Sequence, residues 1–131
     1  MEKINKKILI VEDEDTFFLP LNKVFSEEGF DVVHAKNGQE GLELAEKEKP
    51  DIIILDILLP TETDGMDGIE VAKKLKEAGS MAPIMFLTNL KDATHIGNAM
   101  ESGRHDSDYI VKSEISLEDI VKRAKTKLGI K

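Results

Sequence analysis

Asp51 to Pro60 reads DIIILDILLP. Ile52, Ile53, Ile54 and Leu55 stand in an unbroken row between two aspartates. A strand with one face in water alternates apolar and polar residues. A short run with no alternation is the pattern of a strand covered on both faces, as in a parallel sheet layered between helices. The stretch therefore predicts a buried central strand that delivers a carboxylate, Asp56, at its C-terminal end.

Working outward, Lys7 to Val11 (KILIV) is a β-rich run, and Phe30 to Ala35 a second strand. Pro83 to Leu87 (PIMFL) is the fourth, and Tyr109 to Val111 a short fifth. Amphipathic stretches fill the gaps. Phe17, Leu21, Val24 and Phe25 share a helical face that closes at Gly29. Pro20 fits best in a first turn, so this helix is expected to begin near Phe17 or Phe18. Asn37 to Glu40 reads as a capping box for a helix with Leu42 and Ala45 inward, closed by Pro50. Ile69, Ala72 and Leu75 predict a third helix, stopped by Gly79, and Ala93, Ile96 and Met100 a fourth, ended by Gly103. Ser116 to Asp119 is a second capping box, opening a last helix with Ile120, Val121, Ala124 and Leu128 inward and Gly129 at its end. Strands alternating with helices in this way predict an α/β fold, a parallel sheet with helices on both faces.

The chain has 131 residues, the size of one domain, and 40% of them are apolar, enough for a real core. It contains no cysteine, which excludes disulfides and thiolate metal sites. The N-terminal apolar run, Ile8 to Val11, is far shorter than the roughly 7–15 residues of a signal peptide or the 18 or more of a membrane helix. The chain is accordingly expected to be cytoplasmic, with no membrane insertion. The net charge is −8, and the lysines are scattered among glutamates as on solvated helix faces. Nucleic-acid binders need a basic face to neutralise phosphates, so no direct nucleic-acid contact is expected.

The residues that follow the strands carry the chemistry. Glu12-Asp13-Glu14-Asp15 follows the first, Asp56 the third, Thr88 the fourth and Lys112 the fifth. In a parallel sheet all C-terminal strand ends share one edge, where open α/β folds bind ligands. If the first, third, fourth and fifth strands are neighbours, these groups converge. Glu12, Asp13 and Asp56 would then repel one another, and a hard divalent cation with oxygen ligands would resolve the conflict. An anionic phosphate could approach such a site, with Lys112 and the Thr88 hydroxyl on its oxygens. Phosphoryl transfer asks mainly for such positioning and charge compensation, and a carboxylate can serve as its nucleophile. Each residue alone is unremarkable as a turn or cap residue; the combination is specific. A flavin-phosphate cradle fits poorly, because the EDEDTF loop is acidic where such a loop needs free N–H groups and small residues. An aspartate-nucleophile phosphatase of the haloacid-dehalogenase kind would have a second acid two residues after Asp56, where this chain has Leu58.

At this point the segments ILIVEDED, DIIILDILLP, GMDGIEVAKKLK, PIMFLTN and DYIVK resemble the marker segments of bacterial response-regulator receiver domains, the CheY-like family. The likeness runs from about Lys7 to Leu128, essentially the whole chain. It implies a flavodoxin-like doubly wound (βα)5 fold with strand order 2-1-3-4-5, and a two-component switch phosphorylated by a sensor histidine kinase or a phosphotransfer protein. It also implies roles. Asp56 is the phosphoacceptor. Asp13, Asp56 and the Leu58 backbone carbonyl bind Mg2+ (or Mn2+) directly, and Glu12 acts through a water on the metal. Thr88 and Lys112 hold the phosphoryl oxygens, and Thr88 and Tyr109 form the switch that signals to a downstream protein partner. Beyond its own phosphorylation and a slow autodephosphorylation, no enzyme activity is implied.

The chain departs from the family pattern at several places. Thr61 to Asp64 reads as an insertion, Asn89 stands where a very small residue is usual, and Gly103 to Asp108 is about two residues longer than usual. Ser113 replaces the proline that ordinarily follows the lysine, and the stretch to Ser116 is one residue longer. The bond before Ser113 is then expected to be trans with a rerouted loop, the alternative being a cis bond, at about 2.5–4 kcal/mol, kept to aim Lys112. His34, His95 and His105 read as surface residues. The expected role is that of a stand-alone receiver without an output domain; the alternatives are a pseudo-receiver that is never phosphorylated and a receiver excised from a longer regulator.

Overall fold

Apolar runs settle as strands where both faces can be covered, and Ile8 to Val11, Ile52 to Leu55 and Ile84 to Leu87 are buried throughout. The computed structural model describes residues 4–60, 65–89 and 109–130. Strands β1 (Lys7–Val11), β2 (Asp31–Ala35), β3 (Ile52–Asp56), β4 (Ile84–Thr88) and β5 (Tyr109–Val111) make one parallel sheet in the order β2-β1-β3-β4-β5. Among the described residues the helices are α1 (Asp15–Glu27), α2 (Gly38–Glu48), α3 (Gly68–Glu77) and α4 (Leu117–Lys127). This is the flavodoxin-like doubly wound architecture, with the expected strand order. The expected helix on Ala93, Ile96 and Met100, together with Leu90, His95, His105 and the segments Thr61 to Asp64 and Gly103 to Asp108, lies outside the described residues.

Side-chain alternation splits the strands between two cores. Leu9, Val11, Ile53, Leu55, Phe86 and Tyr109 face α2 and α3, packing with Val71, Ala72 and Leu75. Ile8, Ile10, Ile52, Ile54, Met85, Leu87 and Ile110 face the opposite way, toward Phe18, Leu21 and Phe25 of α1 and Ile120, Val121 and Ala124 of α4. A one-residue slip of any central strand would exchange its two faces, so filling both cores with side chains of fixed shape sets the register that builds the site.

The helix ends follow local chemistry. The Asn37 side chain accepts the Glu40 N–H at 2.9 Å, and Ser116 Oγ accepts the Asp119 N–H at 3.2 Å, as the two capping boxes predict. Gly29 takes φ 96° beyond the end of α1, a left-handed position that suits glycine. The start of α1 differs from expectation. It begins at Asp15, and the Phe18 N–H already donates to the Glu14 carbonyl at 2.9 Å, so Pro20 sits inside the helix. Burial of Phe18, Leu21 and Phe25 holds α1 in register, and Asp15 favours its N-terminus. Pro20 is tolerated on the exposed face, but its nitrogen cannot donate to the Thr16 carbonyl one turn back.

Pro20→Ala should therefore stabilise the fold. The restored helix bond and relieved clash outweigh the roughly 0.4–1 kcal/mol of unfolded-state entropy that proline removes. A net gain of about 1–2 kcal/mol is expected in urea unfolding; an unchanged or lower midpoint would contradict the account of α1.

Candidate functional site

Strand register assembles the site. Val11 pairs with Leu55, so Glu12, one residue on, comes out beside Asp56. Asp56 pairs with Leu87, which brings Thr88 to the same edge. Thr88 pairs with Val111, and Lys112 follows. All the residues singled out at strand ends thus meet at the C-terminal edge of the sheet.

They meet in a nearly dry setting. Glu12 is 0% exposed, Asp56 3% and Thr88 1%. The Lys112 side chain is 6% exposed; its ammonium is paired with Glu12 Oε1 and lies 3.6 Å from Asp56 Oδ2 and 3.7 Å from Glu14 Oε1. One ammonium cannot neutralise two buried carboxylates. Burial, then the facing Asp56 charge, pushes the Glu12 carboxyl up to about 7, although Lys112 and the Glu14 N–H pull against the rise. Burial likewise raises Asp56, against the opposing pull of Lys112, a hydrogen bond from Glu12 and the Leu58 N–H. Burial works to lower Lys112, but its contacts with Glu12, Asp56 and Glu14 together prevail and raise it. The pair behaves as two acids sharing one cation and tending to retain a proton between them.

Several neighbours hold these groups, and sequence reading missed them. The Glu14 N–H donates to Glu12 Oε2 at 3.1 Å, and the Leu58 N–H to Asp56 Oδ1 at 3.1 Å. His34, expected at the surface, is instead half-buried: its Nε2 donates to the Glu12 carbonyl at 2.8 Å and its ring stacks on Phe18. A lone histidine on β2 carries no sequence signal for this, because the contact depends on β2 lying beside β1. Gly68 presses its backbone against the end of β3, donating its N–H to the Ile57 carbonyl at 2.9 Å. A Cβ there would lie 2.1 Å from the Asp56 carbonyl oxygen, so only glycine fits. The Phe17 ring lies under Lys112, with Nζ 4.5 Å from its centroid. Tyr109 is buried, its ring stacked on Phe86 at 5.1 Å. The peptide bond between Lys112 and Ser113 is trans and leads into a 3-10 turn over Lys112–Glu114, the preferred of the two arrangements expected for a chain without the proline.

The residues present fit a hard cation. One carboxylate oxygen from each of Glu12, Asp13 and Asp56 lies within 4.8 Å of the others. Asp13 Oδ1 is buried and has no hydrogen-bond partner among the described residues. Such an oxygen ordinarily costs about 1–3 kcal/mol if it stays unsatisfied, and an all-oxygen set of this charge suits Mg2+ or Mn2+.

Comparison with known proteins agrees with this geometry. The family profile described as response regulator receiver domain matches residues 8–125. The alkaline phosphatase synthesis transcriptional regulatory protein PhoP of Bacillus subtilis is 46% identical over 109 residues, which cover 83% of this chain and 43% of that protein. The same organism's sporulation initiation phosphotransferase F is 36% identical over 100 residues, covering 76% of this chain and 77% of that one. The chain thus matches less than half of the first relative's length and most of the second's. Among solved structures, the receiver domain of the Francisella response regulator 1452 superimposes with a TM-score of 0.82 at 26% identity, covering 95% of this chain and 98% of that one.

The raised carboxyls predict a pH dependence. Glu12 titrates near 7 in the folded chain and at about 4.5 when free. Between those values the folded state holds a proton that the unfolded chain has released, so stability falls as pH rises through the window. The raised Asp56 adds a change of the same sign. In EDTA the wild type should lose roughly 2–4 kcal/mol between pH 4.5 and 7.5, at about 1.4 kcal/mol per tenfold. Glu12→Gln should flatten the slope. Equal slopes in urea unfolding at a series of pH values would contradict the assignment.

Proposed function

The chain belongs to the response-regulator receiver family of two-component signalling, and we propose that Asp56 is its phosphoacceptor. The observation that carries this reading is the cluster of Glu12, Asp13 and Asp56, the first and last of them buried, with the Lys112 ammonium 3.6 Å from Asp56 Oδ2. The donor is a phosphohistidine on a sensor histidine kinase or a phosphotransfer protein. An Asp56 carboxylate oxygen attacks phosphorus in line, and a P–O bond forms as the donor's P–N bond breaks. The electron pair leaves with the imidazole nitrogen, which regains a proton from solvent, and an acyl phosphate remains on Asp56.

Lys112 leaves Glu12 to pair with a phosphoryl oxygen, and the Thr88 hydroxyl donates to another. Asp13, Asp56 and the Leu58 carbonyl would hold Mg2+ or Mn2+ directly, and Glu12 through a water; the bound ion would supply the positive charge that lets the carboxylates and the phosphoryl group share the pocket. Thr88 and Tyr109 form the switch: the move of Thr88 toward the phosphoryl group favours the inward position of the Tyr109 ring against Phe86. The altered face docks on a downstream protein, or the phosphoryl group is passed onward in a relay. The chain works as a phosphoacceptor switch in the cytoplasm, without direct nucleic-acid contact. No helix among the described residues is long and apolar enough to cross a membrane.

The switch is long-lived. Loss of the acyl phosphate needs a water placed in line with phosphorus, and Leu58, 43% exposed beside Asp56, has no group to hold one. By the family resemblance the positions two after the phosphoacceptor and two after the threonine flank that approach; the second is Leu90 in the sequence, whose side chain equally lacks such a group.

Intact mass with acetyl phosphate and Mg2+ tests both parts. The wild type should gain one phosphoryl mass and Asp56→Asn none. After donor removal the wild type should keep the added mass for minutes or longer, and Leu58→Asn with Leu90→Glu should lose it faster. Equal uptake by Asp56→Asn would refute the phosphoacceptor; a wild-type half-life of seconds, not shortened in the double variant, would refute the slow release.

A further inference from the structure

Lys112 must change partners during the reaction just proposed, and the inference here rests on that reading. Its side chain has four rotatable bonds and a strongly hydrated head group, yet it is held nearly free of water. The carboxylates that hold it, Glu12, Asp56 and Glu14, are not constant partners. Glu12 and Asp56 are the groups a divalent cation would claim, and that cation would also repel the ammonium. Asp56 gives up an oxygen when it is phosphorylated. Glu14 is exposed, and its contact is screened by solvent. The remaining described contact is of another kind: the face of the Phe17 ring, 4.5 Å from Nζ.

We propose that Phe17 is a positioning residue for Lys112, whose ring face keeps the ammonium at the Asp56 edge while the carboxylates are committed to a cation or a phosphoryl group. A ring face attracts a desolvated ammonium through its quadrupole and competes for neither metal nor phosphate. Its place suits the task. Phe17 lies in the first turn of α1, directly after the acidic loop, and its flank packs on the core that holds Phe18 and Leu21. The Phe17 N–H donates to the carbonyl of Glu14, the N-cap of α1, at 3.1 Å, which ties the ring to the end of the acidic loop. Phe17 and Lys112 also line a cavity of about 300 Å3 with Glu14, Thr16, Asn89 and Ser113. The ring thus forms part of the wall beside which Lys112 moves. Helical periodicity alone explains Phe17 as a core residue, so the role turns on the ring's π face and not on its bulk.

The substitutions separate the two. Phe17→Leu keeps apolar bulk and loses the face; Phe17→Tyr and Phe17→Trp keep it. With acetyl phosphate at saturating Mg2+, Phe17→Leu should slow phosphoryl uptake about tenfold, with its Mg2+ affinity unchanged, and the aromatic variants should recover most of the rate. Independently of any phosphorylation, NMR of the wild type should show the ε-methylene protons of Lys112 shifted upfield by the ring, and the shift should persist when Mg2+ is added. Wild-type uptake at Phe17→Leu, failure of both aromatic variants to recover, or loss of the upfield shift on adding Mg2+ would each overturn the proposal. If the wild type takes up no phosphoryl group at all, the phosphoacceptor reading falls, and the NMR measurement still decides whether Phe17 holds the ammonium against a bound cation.

Discussion

Three carboxylates, two of them almost wholly buried, converge on a pocket with one ammonium. Taking an ion out of water costs several kcal/mol even after the protein relaxes, and unlike charges repay that only where they balance. Here they do not: with Glu12, Asp13 and Asp56 ionised against Lys112, the pocket carries two surplus negative charges. Burial first, and then the facing Asp56 charge, raises the Glu12 carboxyl, so that it tends to keep its proton. A divalent cation would remove the imbalance, and a phosphoryl group would then find Lys112 available.

Much of the surrounding structure serves to keep that unfavourable arrangement in place. The paired registers of β1, β3, β4 and β5 bring Glu12, Asp56, Thr88 and Lys112 together, and the two cores on either side of the sheet hold the registers. Gly68 lets α3 abut the Asp56 backbone. His34 holds the Glu12 carbonyl from β2, and Phe17 supports Lys112 from α1. Each of these contacts comes from a different element, so among the described residues the pocket is fixed from several directions.

What could be read from the sequence follows from how local each signal is. The strands were legible because unbroken runs such as Ile52 to Leu55 have one good explanation in a parallel sheet, and the caps at Asn37 and Ser116 because a capping box is a short-range pattern. The acidic residues and Lys112 were legible as strand-end groups, but their convergence depended on a strand order that the family resemblance supplied. The start of α1 was misread because Pro20 was weighed by local helix rules, whereas burial of Phe18, Leu21 and Phe25 prevails over them. The parts of His34, Gly68 and Phe17 were not legible at all. Each acts on a residue far away in the chain or across a turn, and each has an ordinary local reading as surface residue, helix-start glycine or core aromatic.

The claim that a divalent cation completes this pocket is tested most directly by thermal unfolding across a Mg2+ titration. A ligand bound only by the folded state adds about 2.7 kcal/mol at a hundred times its dissociation constant. The wild-type melting temperature should therefore climb steadily with Mg2+, and Asp13→Asn, which removes a ligand charge, should show a much smaller rise or none. A wild-type melting temperature that stays flat to saturating Mg2+, or a rise of equal size in Asp13→Asn, would contradict the account.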